Sequence, residues 1–260
     1  AGEVVASRHP DYPVGSGLTY FGAWQDYEII DPKVSEVTRV PEGLTLVDAL
    51  GPFGLNPQTG YFGMTRIGQP KPGETVLVSG AAGSTGSTAA QIARILGARV
   101  IGIAGGAEKC RWLVEDCRLD AAIDYKSENL RTRLKELCPD GVDVFYDNVG
   151  GETLQAAINV MAKHGRVVLC GQIASYNDDE MPEGPRNMMR VVYGSIRLEG
   201  FLRGDFAGEF DEAIDKLREW TKTGDMVHRV DLRKGFADIP MNFNDVLTGR
   251  NNGTLILEIE

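Results

Sequence analysis

The chain has 260 residues, of which 42% are hydrophobic and 25% are charged, a balance typical of globular proteins with one large core or two smaller ones. Its formal net charge of −10 disfavours non-specific nucleic-acid binding, because the sequence has no basic stripe to neutralise phosphates. No run approaches the roughly 18 apolar residues of a membrane-spanning helix, and the first residues do not resemble a secretory signal. We therefore expect a cytoplasmic protein that binds neither nucleic acid nor membrane.

Cysteines and histidines would mark disulfides or a zinc site. The cysteines lie in unlike contexts without a C-x-x-C pair: Cys110, Cys117, Cys138 and Cys170. We interpret them as free thiols in a reducing compartment. The histidines are scattered along the chain: His9, His164 and His228. Because no zinc-ligand spacing can be assembled from these residues, we predict no metal site.

The first 50 residues hold two short β-like segments, EVVASR (3–8) and YEIIDP (27–32), between turns rich in proline and glycine. This pattern predicts part of a barrel-like domain. A helix is predicted from about Gln58 to Ile67, and the breaker-rich segment GQPKPGE (68–74) closes it.

From residue 75 onward, apolar strands alternate with helices. The predicted strands are 75–80, 99–105, 121–125, 142–150, 166–172 and 195–201. The predicted helices are 84–98, 107–117, 127–138, 151–165 and 209–224. This alternation predicts βαβ units and an α/β fold with a doubly wound parallel sheet. The tail, 239–260, predicts a short helix and a final strand that returns to the first domain.

The segment SGAAGSTGSTAAQ (79–91) joins the first of these strands to the first helix. Gly80, Gly83 and Gly86 are spaced three apart, a G-x-x-G-x-x-G variant of the dinucleotide-binding fingerprint. The bare backbone lets a pyrophosphate approach, and the helix N-terminus offers unpaired N–H groups. Ser84 and Thr85 can also donate. A tight structural turn is the alternative, but the place of the segment after the first buried strand favours nucleotide binding.

The choice of nucleotide depends on the end of the second strand, where an NAD-preferring site carries Asp or Glu. This chain has Ala104, Gly105 and Gly106 there, with Lys109 early in the next helix. The missing acid removes repulsion toward a 2′-phosphate, and Lys109 supplies a cation. Glu108 argues the other way, although a first-turn acid can face solvent. We predict NADP, with a solvated surface lysine as the alternative for Lys109.

The chain resembles the zinc-free medium-chain reductases that reduce activated carbon–carbon double bonds, the prostaglandin reductase/leukotriene B4 dehydrogenase group and its alkenal reductase relatives. The motifs that carry the resemblance are IGQPKPGETVLVSGAAGSTGS, GAEK, IDYK, YDNVGGE, GRVVLCGQIASYN and GRNNG. The resemblance implies a Rossmann doubly wound parallel sheet with a partial GroES-like β-barrel domain. Residues 1–50 would belong to the GroES-like catalytic domain, 51–230 would form the NADP-binding domain, and 231–260 would return to the catalytic domain. It also implies a homodimer.

The resemblance assigns site residues where the motifs match. Those assigned to the pyrophosphate are Ala82, Gly83, Ser84, Thr85 and Gly86. Those assigned to the 2′-phosphate side are Lys109 and Tyr125. Those assigned to the nicotinamide half are Asn148 and the segment 170–176, with Cys170, Gly171 and Tyr176. Those assigned to the rest of the cofactor site are Phe201, Leu202, Arg203 and Asn251. Tyr193 matches the family's proposed active-site tyrosine. Without the resemblance, Tyr125 and Tyr193 would pass as aromatic residues at the edge of the core or within it.

The chain departs from the family pattern in three places. About 80 residues are expected to be missing before its first residue, a figure based on length alone. The segment GPFGLNPQTGYFGM (51–64) differs from the family's GMPGLTAYFGL, and Thr254 stands where a lysine is usual. The first two departures affect the walls of the substrate pocket.

The function expected from these residues is hydride transfer from NADPH to the β-carbon of an α,β-unsaturated ketone or aldehyde. Negative charge would develop on the carbonyl oxygen, and the Tyr193 hydroxyl and a cofactor ribose hydroxyl are the candidate donors. An NADPH quinone reductase is one alternative. A catalytically incomplete NADPH-binding protein is another, because the first domain is short. The absent cysteine cluster disfavours a zinc alcohol dehydrogenase.

Overall fold

The structure is a computed structural model that describes residues 1–176 and 183–259. The chain divides into two compact units: Ala1–Leu55 together with Val230–Glu260, and Asn56–Arg229. Asn177, the last residue of the motif GRVVLCGQIASYN, lies outside the described residues. Among those described, no helix has the length and apolar character needed to cross a membrane.

The N-terminal part of the first unit is a small antiparallel sheet followed by a short helix. Its elements are β1 (Gly2–Glu3), β2 (Gly17–Tyr20), β3 (Val37–Arg39) and α1 (Leu46–Leu50). Strand β2 pairs with both β1 and β3. A capping box begins α1: Asp48 N donates to Thr45 Oγ1 over 3.0 Å, and Thr45 N donates to Asp48 Oδ2 over 2.9 Å.

Two strand predictions in this region are wrong. Residues 27–32, all of which the structure describes, contain no strand, and EVVASR contributes only Glu3. Tyr27 and Ile29 are exposed, so their β propensity is not supported by packing on a sheet face.

The second unit contains a six-stranded parallel sheet, counted over residues 1–176 and 183–259. Its strands are β4 (Thr75–Val78), β5 (Arg99–Ala104), β6 (Ala121–Asp124), β7 (Val142–Asp147), β8 (Met161–Leu169) and β9 (Arg197–Gly200). They lie in the order β6-β5-β4-β7-β8-β9, and all neighbours are parallel. This is the predicted doubly wound topology, which is therefore confirmed.

Helices cover both faces of this sheet. They are α2 (Leu55–Phe62), α3 (Ser84–Ile95), α4 (Ala107–Glu115), α5 (Leu130–Leu137), α6 (Gly151–Val160), α7 (Met188–Gly194) and α8 (Phe210–Thr223). A π-helix, Gly63–Gly68, continues α2, and the short 3₁₀ segments Ile173–Ser175 and Arg203–Glu209 follow β8 and β9. The core includes Leu77, Ile101 and Phe145, all fully buried, as expected for strands covered on both faces.

The predicted helix 151–165 is correct only in its first part. Helix α6 ends at Val160, and β8 begins at Met161, whose backbone is extended. His164 has a φ of 64°, a left-handed conformation that cannot continue an α-helix. The first pair of this strand, Val142 with Met161, is separated from the regular ladder by a register shift.

The C-terminal residues complete the first unit. They form β10 (Val230–Lys234), a 3₁₀ segment Phe236–Asp238, α9 (Ile239–Leu247) and β11 (Thr254–Glu258). The short helix and final strand predicted for the tail are both present, and β11 pairs in parallel with β10. Arg233 links the strand to the helix through ion pairs with Asp231 (2.8 Å) and Asp245 (2.7 Å).

Candidate functional site

The turn between β4 and α3 has the form of a phosphate cradle. Gly80 has a φ of 57°, and Gly83 precedes α3 without any side-chain cap. A Cβ on Gly86 would overlap the Gly80 carbonyl oxygen and lie 2.9 Å from Ala81 Cα, so the turn closes only on glycine. The uncapped N–H groups of α3 and this bare backbone fit a diphosphate.

The neighbours of this turn are small and closely packed. Ala82 is buried, and Ser84 and Thr85 are partly exposed in the first turn of α3. Helix α2 lies against the same turn, since a Cβ on Gly60 would be 2.7 Å from Thr85 O. The pyrophosphate candidates are therefore together at the C-terminal end of β4.

The second part of the site surrounds Gly105 and Gly106, after β5. A Cβ on Gly105 would lie 2.9 Å from both Lys126 Cε and Tyr125 Cε1, so these two side chains cover the glycine. Gly106 N donates to Asp124 Oδ1 over 2.7 Å. Tyr125 is more than half exposed, which leaves its ring accessible to a ligand.

Lys109 lies among other charges at this place. Burial lowers the pKa of Lys109, as do the nearby positive charges of Lys126 and Arg229, while Glu108 acts in the opposite direction. The Arg229 guanidinium lies 4.8 Å from the centroid of the Trp112 ring. A dianionic phosphate bound among these three cations would reduce the repulsion between their positive charges.

Sequence reasoning found Lys109 but missed Lys126 and Arg229. Lys126 could have been found, because it closes the IDYK motif directly after Tyr125. Arg229 gave no signal because only the fold brings it to this position, far along the chain. Glu108, the residue that argued against NADP, has a side chain that is 70% exposed and lies 3.5 Å from Arg229.

The nicotinamide-side candidates follow β7 and β8 at the same edge of the sheet. Asn148 Nδ2 donates to Ser79 O over 2.7 Å, and Asn148 N donates to Ser79 Oγ over 2.9 Å. Cys170 N and Gly171 N both donate to Asp147 O, over 2.9 and 3.1 Å. These bonds join the ends of β4, β7 and β8.

Tyr176 closes the loop after β8, where its hydroxyl accepts from Gln172 N over 3.4 Å. Phe201 follows β9 and packs on the π-helix, because a Cβ on Gly63 would be 2.5 Å from Phe201 Cζ. Leu202 is exposed.

Arg203 already has partners in the protein. Its Nη1 donates to Gln58 Oε1 over 3.0 Å, and its guanidinium lies 4.1 Å from the centroid of Phe210. Its assignment to the cofactor site stays a prediction.

Within the second unit, Tyr193 is not brought together with the other candidates. Tyr193, 75% exposed, lies in α7 before the start of β9. Arg190 of the same helix donates to Met161 O over 2.8 Å, at the start of β8 and thus at the opposite edge of the sheet from Asn148. Asn251 belongs to the first unit, where its Nδ2 donates to Gly253 O over 2.8 Å. Both roles stay predictions.

Comparison with known proteins gives consistent matches. Residues 84–219 match the family model described as zinc-binding dehydrogenase. The chain is 39% identical to prostaglandin reductase 1 of Oryctolagus cuniculus over 96% of this chain and 72% of that protein. It is 34% identical to the NADPH-dependent curcumin reductase of Escherichia coli over 98% of this chain and 75% of that protein. The crystal structure of CurA from Vibrio vulnificus in complex with NADPH is similar at a TM-score of 0.91, with 33% identity, covering 99% of this chain and 78% of that one.

The description of the matching family names zinc, which proteins bind through grouped Cys, His, Asp or Glu side chains. In residues 1–176 and 183–259, no three His, Cys, Asp or Glu side chains are grouped so as to hold a metal ion. The described residues therefore do not fit a zinc centre.

Proposed function

We propose, from the premise that the chain belongs to the zinc-binding dehydrogenase family, that it reduces the carbon–carbon double bond of α,β-unsaturated ketones or aldehydes with NADPH. The resemblance to the zinc-free reductases of this family is confirmed. The chain is an NADP-dependent oxidoreductase, and similar proteins are named for the reduction of curcumin and prostaglandin.

The proposal is based mainly on a glycine cradle and a cluster of cations that lie together at the C-terminal ends of the parallel strands. The turn from Gly80 to Gly86 fits the pyrophosphate. Lys109 and Lys126 lie one strand away, where NAD-preferring sites carry an acid. A 2′-phosphate in this cluster neutralises charges that otherwise repel each other, which explains a preference for NADPH over NADH.

NADPH supplies a hydride when it is bound. The protein contributes position and electrostatics: the first turn of α3 binds the diphosphate, and Asn148 and Gly171 orient the nicotinamide half at the ends of β7 and β8. Hydride addition at the β-carbon leaves negative charge on the carbonyl oxygen of the substrate, which a hydrogen-bond donor must stabilise. Tyr193 is the proposed donor. The α-carbon then takes a proton from Tyr193 or from water.

A homodimer would explain how Tyr193, near the N-terminal ends of the strands, reaches a site at their C-terminal ends. In the part of the chain that the structure describes, β9 is an edge strand whose one sheet neighbour is β8. The adjoining helix α7 exposes Met189 and Val192. Antiparallel pairing of β9 with its copy places the start of one strand beside the end of the other. Tyr193 of one subunit then lies toward Phe201 of its partner.

The remaining assignments follow from the two units. The second unit, Asn56–Arg229, is proposed as the NADP-binding domain, and the first as part of the catalytic domain. We also assign the protein to the cytoplasm. All four cysteines are free thiols, which is the state expected in a reducing compartment.

Turnover with labelled cofactor tests the proposal. The protein is mixed with NADPH that carries deuterium at the transferable position and with an enone, an enal or a quinone, and the products are identified by mass spectrometry and NMR. We expect a saturated ketone or aldehyde with deuterium on the β-carbon. An allylic alcohol with deuterium on the carbonyl carbon, or turnover of quinones alone, would contradict it. NADPH binding without turnover of any acceptor would identify a catalytically incomplete protein.

A further inference from the structure

A buried carboxyl group lies directly behind the site, at the end of β7. Asp147 is fully buried, and its carboxylate accepts from Ser79 Oγ (2.7 Å), Val149 N (3.0 Å) and Gly150 N (3.1 Å). Burial raises the pKa of Asp147, and these hydrogen bonds oppose that shift. A single side chain thus organises the loop after β7 and contacts the residue that precedes Gly80.

Ser79, also fully buried, connects this carboxyl group to Asn148. Its hydroxyl donates to Asp147 and accepts from Asn148 N over 2.9 Å, and its carbonyl oxygen accepts from Asn148 Nδ2 over 2.7 Å. Both the backbone and the side chain of Asn148 are therefore oriented by Ser79. If the Ser79 hydroxyl is removed, Asn148 N loses its acceptor in a partly buried place, and the loop after β7 must adjust.

The third strand end is fixed at the same point. Asp147 O accepts from Cys170 N and Gly171 N, and Asn148 O accepts from Ile173 N over 3.3 Å. The ends of β4, β7 and β8 thus share one hydrogen-bond network. It lies at the sheet edge where doubly wound folds bind ligands.

We propose that Ser79 and Asp147 form a positioning pair that fixes Asn148 in the orientation required by the nicotinamide half of NADPH. The pair touches neither cofactor nor substrate; it acts through Asn148 and the loop that follows. This inference rests on the proposed function, because it assigns a role within the same cofactor site.

A purely structural role predicts a different result, and the chain offers a matched control. Asp143 lies at the other end of β7, and its Oδ2 accepts from Thr75 N over 2.8 Å at the start of β4. It joins the same two strands as Asp147 does, but at the edge away from the cofactor. If the pair only held the two strands together, Asp143→Asn would resemble changes at Asp147.

The test compares two ligands by calorimetry: NADPH, and 2′,5′-ADP, which carries the adenosine 2′-phosphate but lacks the nicotinamide half. We expect Ser79→Ala and Asp147→Asn to weaken NADPH binding about tenfold. Binding of 2′,5′-ADP should stay within about twofold. Asp143→Asn should leave both ligands unaffected. Thermal unfolding of each variant checks that it is folded, and Ser79→Ala, which removes one oxygen, is the milder variant if Asp147→Asn does not fold.

Several outcomes would overturn the inference. The inference is contradicted if Ser79→Ala is folded and binds NADPH as tightly as the unaltered protein does. An equal loss for NADPH and 2′,5′-ADP would also contradict it, because it would indicate a general loosening of the sheet. If the unaltered protein binds neither ligand, the proposed function fails together with the pair. If the unaltered protein binds both ligands and the variants bind them just as tightly, only the inference about the positioning pair fails.

Discussion

Lys126 and Lys109 belong to different parts of the chain, yet their charges are close enough to interact. Lys126 packs directly against Gly105, and its charge lowers the pKa of Lys109. The sequence could identify the missing acid after β5 and the cation at Lys109. It could not identify Arg229, because that contact depends on the path of the chain after α8. Local pattern thus predicts one cation, and tertiary structure supplies the others.

Replacement of Lys126 tests this cluster. We expect Lys126→Ala to raise the Kd for NADPH about tenfold, because one cation facing the 2′-phosphate is lost, and to leave the Kd for NADH nearly unchanged. Calorimetry with both cofactors measures the two values. Lys135→Ala, on the exposed side of α5, is the control and should change neither. An equal loss for NADPH and NADH would remove Lys126 from the 2′-phosphate site.

His228 makes stability depend on pH. Burial lowers the pKa of His228 to about 4, and its Nε2 lies 3.2 Å from Thr221 Oγ1. Because the folded state favours the neutral ring, its contribution is complete above the ordinary pKa of about 6.5 and is lost as the pH falls toward 4. Between pH 6.5 and 4, His228 is protonated in the unfolded chain but neutral in the folded protein, so protonation favours unfolding.

We expect the free energy of unfolding to fall by up to about 3 kcal/mol between pH 6.5 and 4 on account of this residue. His228→Gln should flatten that part of the profile, which denaturant unfolding at several pH values measures. His164→Asn, at an exposed left-handed position, is the control. A profile that is unchanged by His228→Gln would contradict the assignment.

Among the secondary-structure elements, the central strands β4, β5 and β7 were predictable because most of their residues are buried. Their sequences are continuous apolar runs between turn residues, and such runs depend little on distant partners. The predicted strand YEIIDP failed because its apolar residues do not pack on a sheet. The early end of α6 was also unpredictable, since the apolar residues Met161 and Ala162 fit a helix or a strand equally well. The π-helix after α2 left no pattern that distinguishes it from an α-helix.

The turn before α3 has no room for a side chain at Gly86. Gly86→Ala places a methyl group against the backbone of Gly80 and Ala81, so the turn must open and the N–H groups of α3 move. We expect the Kd for NADPH to rise about 100-fold or more, with a lowered Tm. Gly208→Ala is the matched control, because a Cβ there meets no atom within 4 Å. NADPH binding by Gly86→Ala equal to that of Gly208→Ala would show that the turn does not bind the diphosphate.

For the whole molecule, the proposed catalytic role of Tyr193 depends on the proposed homodimer. Within one chain Tyr193 lies near the starts of β8 and β9, whereas Asn148 and Gly171 lie at the ends of their strands. The sequence placed Tyr193 in the site only through a resemblance, and no local pattern could tell which edge of the sheet it would occupy. The proposed dimer through β9 would make the location of Tyr193 compatible with its expected role.

Mixed dimers test this arrangement. Tyr193→Phe should lower kcat about tenfold or more while leaving the Kd for NADPH nearly unchanged, because only the donor to the carbonyl oxygen is lost. When Tyr193→Phe is mixed and reassembled with Gly86→Ala, one site of each mixed dimer combines an intact cofactor turn with an intact Tyr193 of the partner. Activity should therefore reappear. Unchanged turnover of Tyr193→Phe alone would remove the residue from the mechanism, and mixing without recovery would contradict its action across subunits.

In the proposed cofactor site, the glycine turn binds a diphosphate while the adjoining cluster of cations selects the phosphorylated ribose. Calorimetric titration of the unaltered protein with NADPH and with NADH, at one ionic strength, measures both parts together. We expect NADPH to bind at least about 100-fold more tightly than NADH, a difference of about 2.7 kcal/mol in binding free energy. Equal affinity for the two cofactors, or binding of neither, would contradict it.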